Sequence, residues 1–546
     1  MREGIEGQKK FYQRNNCEKI ASLCLLHTLL FFSFAFVFAE DGEQVERARY
    51  VWERYINSLA TAKPIDIKAE KQGENKQVLP GNLSVYVKEF RWTKDEKPPI
   101  SVKDILRDYE NRKINGNELQ KLLQLLNQRI QKEGYVTTKV IIAPQHIQRG
   151  VVYFTLQKGI IHEFIYSEGS VHIPIAQIFP QGQDEWMNIR DLEQGVEHIR
   201  NVPGETVEMK IIPLKDHSAD ILLYVTRGKL WQIHGNLEYN GKKPYTIRGR
   251  LDIGNPFHLQ DVLSFQVGRN IGYHRKYKDY QQFSIAYRIP YRKFNFSFRT
   301  AYLINGQPLD VGEMSYPHQT KTKENVFKIE KMVKRDNQRK AKYFISYHTY
   351  ERRNTIGNTD IRVQRINKSD ITMGVTYQQY FSQGQCYGLY SVTKNVRQKN
   401  EIGGTRNYLI HQFDFSYVRY LTQNRQYQGL FHGQIGMGRI YDTDEIAIGG
   451  LYTVRGYNGA KMLSGKSGWY IQQECQWRKG NHAPYVAWDI GNIKTESGSS
   501  WLSGMTVGVR GYKGISYDIA ISTPLIRPRG WEKDKIVMYA NIGMDI

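Results

Sequence analysis

Residues 283–298 read FSIAYRIPYRKFNFSF. Their apolar side chains fall on every second position: Phe283, Ile285, Tyr287 and Ile289, then, past Tyr291-Arg292-Lys293, Phe294, Phe296 and Phe298. A period of two places these residues on one face of two strands joined by a short turn. The stretch is therefore a hairpin with one apolar face. The same alternation returns at Tyr343–Tyr350, Phe413–Tyr417, Tyr427–Met437, Trp469–Trp477, Met505–Val509, Ile515–Ile521 and Met538–Ile546, so it governs the chain from about Lys229 to Ile546.

The two faces of these strands differ in kind. One is rich in aromatics, whereas the other carries Gln412, Asp414, Gln472, Glu474 and Asp518, too hydrophilic for the core of a sandwich. An aromatic outside and a polar inside fit a lipid-facing wall around a wet lumen, in which closure of the sheet satisfies every backbone polar group. At roughly 20 residues per strand and connection, with ~9–11 crossing the membrane, this region holds on the order of 16 antiparallel strands. A soluble propeller or solenoid is the competing reading, and the irregular connection lengths disfavour it.

Composition agrees with a turn-rich β protein. The 546 residues include 37 Tyr, 22 Phe and 47 Gly, with a mean hydropathy of -0.57, unlike a helical membrane protein or a Leu/Ala-rich enzyme. Lys9, Lys10, Arg14 and Lys19 precede an apolar run, Ile20 to Phe38, that ends at Val37-Phe38-Ala39 before Glu40-Asp41. That pattern predicts a signal peptide over 1–39, the competing reading being a retained anchor. Its removal takes five Lys/Arg and three Asp/Glu, so the net charge falls from +23 to about +21. In an exported protein a basic excess meets anionic lipid heads or an acidic partner, and no nucleic acid is expected. Cys386 and Cys475 have no metal-ligand or redox spacing, which leaves a single disulfide open.

Between leader and barrel lie three further segments. EQVERARYVWERYINSLA, Glu43–Ala60, is one amphipathic helix within 40–62, and the polar, proline-bounded stretch 63–82 is a linker. Two small α+β units then follow, 83–161 and 162–228. In the first, a strand from Leu83 to Trp92 precedes a helix over Asn117–Lys132 with Leu119, Leu122, Leu123, Leu126 and Ile130 on one face; Gly134 caps it and strands Thr137–Ala143 and Val151–Gln157 complete the unit. The second repeats the plan, with Asn188 as N-cap of a helix and strands Glu205–Ile212 and Ala219–Thr226.

These segments resemble a known family. Gly134-Tyr135-Val136-Thr137-Thr138, Pro144-Gln145 and Gly150 resemble the first polypeptide-transport-associated (POTRA) domain of the ShlB/FhaC/HecB (TpsB) two-partner secretion transporters. Asn188 to Gly195, NIRDLEQG, resembles the signature of the second POTRA domain, Gly254-Asn255-Pro256 with Asp261 the opening of the family's barrel, and Gly449-Gly450 with Val454-Arg455-Gly456-Tyr457 completes the series. The match runs in order over nearly all of the mature chain. Ile546 departs from the aromatic residue on which such barrels usually end. The resemblance implies an outer-membrane pore with periplasmic POTRA domains that exports a partner exoprotein of haemolysin or adhesin type by two-partner (type Vb) secretion. It implies that the 40–62 helix occupies the resting lumen, that periplasmic chaperones and the barrel assembly machinery serve its biogenesis, and that outer-membrane lipid or lipopolysaccharide surrounds it.

The loop holds two motifs. AKMLSGKS, Ala460–Ser467, fits a relaxed phosphate-loop pattern, but its sequel Trp469–Cys475 alternates like a strand, and a phosphate loop needs a helix whose amides face the phosphates. VRGY occurs at Val454–Tyr457 and again at Val509–Tyr512. Counting hairpins back from Ile546 puts the first copy in a long extracellular loop and the second at a periplasmic turn, where Arg510 ends a strand and Gly511 forms the turn. The resemblance implies that the first loop folds back into the lumen and that Arg455 pairs with an Asp, for which the matching position is Asp489. Parity agrees: if Val486, Trp488 and Ile490 face lipid, Asp489 faces the lumen.

No nucleophile elbow, metal triplet or nucleotide pocket marks an enzyme, so no catalytic residue, metal or cofactor is expected. A barrel-assembly insertase of the same superfamily usually carries more POTRA domains than two, and a passive porin or receptor needs none.

Overall fold

The computed structural model describes residues 84–546 apart from 94–95, 146, 148, 216, 241–244, 272–279, 312–313, 399–405, 460, 496–497, 529–530 and 532–535. The leader, the 40–62 helix and the linker lie outside the described residues.

Two small units precede a barrel. The first has strands β1 (Ser84–Val87), β2 (Glu89–Trp92), β3 (Arg112–Asn115), β4 (Lys139–Ile141) and β5 (Val151–Gln157), with helices α1 (Lys103–Arg107) and α2 (Gly116–Lys132). Its three-stranded sheet runs β2-β5-β4, and β1 pairs with β3. Helix α2 opens on a capping box: Asn115 Oδ1 accepts from the Glu118 amide at 2.8 Å and Glu118 Oε2 accepts from the Asn115 amide at 3.0 Å. Leu122, Leu123, Leu126 and Ile130 then bury against Phe154 and Val152. The strand read as Thr137–Ala143 shrinks to β4, which pairs with β5 from Lys139–Gln157 to Ile141–Thr155, and just before it the Thr138 hydroxyl accepts from the Gly159 amide.

The second unit has β6 (Ile161–Tyr166), β7 (Glu205–Pro213) and β8 (Ala219–Arg227) in the order β6-β8-β7, with helices α3 (Ile175–Ile178) and α4 (Ile189–Arg200). Asn188 ties the units together. Its Oδ1 caps α4 at the Arg190 amide (2.8 Å), its amide group donates to the Glu133 carbonyl (3.1 Å), and the Ile189 amide donates to Gly134 (2.9 Å). Gly134 sits at φ +102, and a Cβ there would lie 2.2 Å from Asn188 Oδ1, so only glycine fits.

The barrel is a single closed antiparallel sheet. Among the described residues its sixteen long strands are β9 (Trp231–Tyr239), β10 (Tyr245–Gly254), β11 (Val262–Ile271), β12 (Tyr280–Tyr291), β13 (Phe294–Val311), β14 (Met314–Arg335), β15 (Arg339–Ile356), β17 (Ile366–Phe381), β18 (Gly384–Gln398), β19 (Tyr408–Thr422), β20 (Arg425–Gly438), β23 (Ser467–Trp477), β24 (His482–Thr495), β25 (Gly498–Lys513), β26 (Ile515–Ile526) and β27 (Val537–Asp545). Three short pieces, β16 (Thr359–Asp360), β21 (Ile446–Ile448) and β22 (Leu463–Gly465), lie in the connections. β27 pairs with β9 to close the wall, and the seam ends on reciprocal bonds between Ile546 and Ile233. Phe283, Phe298, Tyr343, Phe415 and Trp488 are exposed on the outside, while Asp414, Gln472 and Glu474 are buried within. The alternation expected from 283–298 thus holds around the wall, with Tyr287 opposite Phe298 and Ile285 opposite Thr300. β13, β14 and β15 outrun any membrane crossing.

The second unit docks on one rim and so fixes the sidedness. Gly254 lies against Val202 and Pro203, and Asp261, fully buried, holds the β10–β11 turn by accepting from the Phe257 and Leu259 amides. Helix α4 meets the β12–β13 and β14–β15 turns: Arg335 reaches Glu193 (3.3 Å), Gln194 (3.0 Å) and Glu197, Lys340 reaches Glu197 (2.9 Å), and Lys293 reaches Asp191 (2.9 Å). His198 Nε2 donates to the Arg292 carbonyl at 2.9 Å.

This joint is sensitive to acid. Burial disfavours a charged His198 and takes its imidazole down to about 4, despite the Arg292 carbonyl. Burial also opposes ionisation of Glu197, but Arg335, Lys340 and Lys342 outweigh it and hold the carboxyl well below its ordinary range. Both groups bind fewer protons in the docked structure, so docking is strongest above about pH 6.5 and weakens as pH falls toward 4. Spin labels at Lys210 and Gln338 are expected to report a broadened distance distribution near pH 5, and His198→Gln removes most of that pH dependence.

Candidate functional site

The connection from β20 to β23, residues 439–466, leaves the rim opposite the docked unit and turns back into the lumen. It lies at the extracellular end that hairpin counting predicts. Val454 is fully buried with Ile448, Tyr470, Ile493 and Leu502, and the chain there runs against the inner wall.

Arg455 is the centre of the contact. Its Nε donates to Asp489 Oδ2 at 2.6 Å and its Nη2 to Asp489 Oδ1 at 2.7 Å, a bidentate pair, and its backbone amide also donates to Oδ2 at 2.9 Å. Nη1 reaches Glu474 Oε2 at 3.0 Å. Asp489 is 0% exposed and Arg455 6%, so the pair is desolvated and depends on mutual compensation. Asp489 lies on β24 with Trp488 on the lipid side, as parity requires.

The residues around Arg455 fix its approach. A Cβ on Gly504 would lie 1.7 Å from the Arg455 carbonyl oxygen, so the bare strand lets the loop backbone touch the wall. Gly456 turns the chain at φ +106. Tyr457 donates its hydroxyl to the carbonyls of Ser503 (3.1 Å) and Ile526, while Tyr539 on β27 donates to the Tyr457 carbonyl (2.7 Å). All four residues of Val454–Tyr457 therefore engage the wall.

Glu474 and Arg510 extend the pair into a chain of charges that motif reading did not foresee. Arg510 Nη2 donates to Glu474 Oε2 at 2.9 Å, its Nη1 reaches Oε1, and its Nε donates to Asp518 Oδ2 at 3.0 Å; its guanidinium stacks 3.9 Å over Tyr485. The second VRGY is thus no terminal turn. Gly511 lies inside β25, paired with His482 and Tyr517, the turn belongs to Gly514 at φ +76, and Arg510 faces the lumen. The lumen parity of Glu474, Arg510 and Asp518 was the available signal.

A second anchor was also invisible to motif reading. Asp444, early in the loop, takes both carboxylate oxygens to Lys368 Nζ (2.7 and 2.6 Å). Lys368, 1% exposed on β17, also contacts Asp370 at 2.9 Å and the Tyr408 hydroxyl at 2.9 Å, and Tyr350, Tyr408 and Tyr441 surround it. β17 and β24 are five strands apart, so the loop is tied at two separated points of the wall.

Nothing nucleotide-like survives in AKMLSGKS. Ala460 lies outside the described residues, Leu463–Gly465 is β22, and Lys466 leads directly into β23. Cys386 and Cys475 are free thiols. Among the described residues no cluster of three His, Cys, Asp or Glu could hold a metal ion.

Comparison with known proteins follows the same outline. A family model described as haemolysin secretion/activation protein ShlB/FhaC/HecB matches residues 217–511, a ShlB-type POTRA domain matches 94–159, and a POTRA domain matches 160–213. The outer membrane transporter CdiB-2 of Burkholderia pseudomallei is 23% identical over 462 residues, covering 80% of this chain and 79% of the relative. CdiB of Dickeya dadantii is 20% identical over 467 residues, covering 80% and 82%. The structure of CdiB from Acinetobacter baumannii superposes with a TM-score of 0.79 at 20% identity over 92% of this chain and 98% of that one, a likeness of fold.

Breaking the anchor exposes buried charge. Arg455→Ala leaves Asp489 uncompensated, a loss of about 3–5 kcal/mol, and Arg455→Lys keeps the charge but loses the bidentate fit. With Cys386 and Cys475 replaced, a cysteine at Thr453, which is 1% exposed, is expected to be shielded from a membrane-impermeant maleimide in the parent and labelled at least tenfold faster in Arg455→Ala. Gly504→Ala is expected to give the same acceleration by pushing the loop off the wall. In both variants the barrel remains inserted and heat-modifiable on gels.

Proposed function

Because the chain belongs to the ShlB/FhaC/HecB family of haemolysin secretion/activation proteins, outer-membrane transporters of two-partner secretion, we propose that it passes one exoprotein, of haemolysin or adhesin type, from the periplasm to the cell surface. The two POTRA units lie on the periplasmic side and receive the client in extended form. The observation that carries this reading is the doubly anchored loop: Arg455 on Asp489 and Asp444 on Lys368 hold a long segment seated on the inner wall, where it lines the path of a passing polypeptide and has to stay in place for export.

Client capture has a physical route in the sheets of the POTRA units. β7 is an edge of the β6-β8-β7 sheet, to which an extended segment can add as a strand, displacing Arg200 from the Val207 carbonyl. Arg455 and Asp489 act as the loop's seat in the lumen, Val454 and Tyr457 as its apolar and hydrogen-bonded flanks. The drive comes from folding of the client outside, and the chain itself carries out no chemistry. Whether this transporter also activates its client belongs to the same proposal: emergence in unfolded form would let a haemolysin fold only at the surface.

The surface proteomes of cells with and without this chain test the reading. One large secreted protein is expected to vanish from the surface and to accumulate or be degraded in the periplasm, and to return when the chain is supplied again. Cells carrying Arg455→Ala are expected to show the same loss with the barrel present at normal abundance. An unchanged surface proteome in the absence of the chain would overturn the proposal.

A further inference from the structure

The outside of the wall carries an arrangement separate from the lumenal loop. Ile247, Arg269, Gln281, Ile304, Lys321 and Arg353 are successive cross-strand partners on β10 to β15. Such partners share a face, and the next row toward the POTRA units, Gly249, Val267, Phe283, Tyr302, Lys323 and Glu351, shows that the face is the lipid side, since Val267, Phe283 and Tyr302 are exposed there. Two rows further on, Ile253, Leu263, Tyr287, Phe298, Phe327 and Tyr347 are apolar throughout. The row between holds Leu251, Phe265 and Ile285 and then Thr300, Asn325 and Thr349, so the belt turns polar sooner on β13 to β15. Because the strands tilt by ~35–45° the rows climb from β10 to β15, and Lys323, one row nearer the POTRA units than Lys321, offsets part of that climb relative to Arg269, at the end away from the docked unit where outer-leaflet headgroups begin.

A cavity of about 550 Å³ opens on this same face. Ile247, Val267, Phe283, Tyr302 and Ile304 line it, and Arg269 and Gln281 border it. Gly249 makes the space: a Cβ there would meet only Val267 Cγ2, at 3.6 Å. The cavity thus has an apolar wall facing the hydrocarbon and a cationic edge facing the headgroups. Lys323 and Lys321 stand on the adjoining strand beside Tyr302 and Ile304, and the one carboxylate in the two rows, Glu351, is already paired with Arg353 at 2.6 Å.

We propose that this face is a binding site for a phosphorylated, multiply acylated saccharolipid of the outer leaflet, with an acyl chain in the cleft above Gly249 and phosphates on Arg269 and on Lys321 with Lys323. Spacing favours two phosphates over one. Arg269 and Lys321 are three strands apart, about 14 Å at ~4.8 Å per strand, a span that a disaccharide phosphorylated at both ends bridges and a glycerophospholipid head does not. The guanidinium and the two ammonium groups would hold the phosphates as charge-assisted donors.

The test uses the full chain, purified in mild detergent and examined by native mass spectrometry with added hexa-acylated bisphosphorylated lipid A, its monophosphorylated form, phosphatidylglycerol or inorganic phosphate. Lipid A is expected to bind in preference to phosphatidylglycerol, with the monophosphorylated form between them and no displacement by inorganic phosphate. Arg269→Gln/Lys321→Gln/Lys323→Gln together are expected to weaken binding on the order of a hundredfold. Gly249→Val, which fills the cleft and leaves every charge in place, weakens it several-fold. Folding of each variant is read from heat-modifiable gel mobility, and single substitutions replace the triple if it does not fold. Equal binding of phosphatidylglycerol, or unaltered lipid A binding in both the charge and the cleft variants, would overturn the proposal.

Discussion

Lipid offers a backbone amide nothing to bond with, and that constraint shapes the rest of this molecule. A sheet in hydrocarbon has to close on itself, which here means sixteen strands joined at a β27–β9 seam. Closure then divides every strand into a lipid side and a lumen side by simple alternation. The lumen side, free to be polar, collects charges that no aqueous loop could keep desolvated. The Arg455–Asp489 pair is a consequence of this geometry, because a carboxylate on the inner wall of a narrow barrel has little water to turn to and recruits a guanidinium from the chain that folds in above it.

Buried ion pairs are poor sources of net stability, since desolvation offsets most of their attraction, yet a broken one is costly. They therefore specify where a segment sits more than how firmly the whole protein holds. Here the specification is redundant. Glu474 is shared by Arg455 and Arg510, Arg510 continues to Asp518, and Asp444 is held independently by Lys368. The same logic operates at the periplasmic rim, where Glu193 and Glu197 of α4 lie against Arg335 and Lys340.

Much of this was legible in the sequence, for identifiable reasons. Alternation at 283–298 needs only the period of a strand, so the barrel, its two faces and its approximate strand number followed from the letters. Asp489 could be assigned to the lumen by parity and to Arg455 by family resemblance. Other features depend on register, which alternation leaves free: that Glu474 falls between Arg455 and Arg510, or that Lys368 meets a carboxylate 76 residues later, follows from which strands are neighbours and how the loop runs. VRGY at 509–512 misled because four shared letters carry no information on whether glycine sits in a strand or a turn; Gly514, two residues beyond the motif, has the positive φ. The contacts of Glu193, Gln194 and Glu197 on α4 lay outside the sequence reading, because the rim that covers them lies about 140 residues away in the chain.

The central claim is that the 439–466 loop rests inside the barrel, held there by its two ionic anchors. Ile448 on the loop and Gly491 on β24 are in contact, a Cβ on Gly491 lying 3.0 Å from Ile448 Cδ1. Cysteines at these two positions, in a chain lacking Cys386 and Cys475, provide the direct measurement in the intact outer membrane. Rapid cross-linking by a short bifunctional thiol reagent is predicted, together with its collapse when Arg455→Ala and Asp444→Asn are added. Failure of the pair to cross-link with both anchors intact, or cross-linking at an unchanged rate after both are removed, would contradict the account.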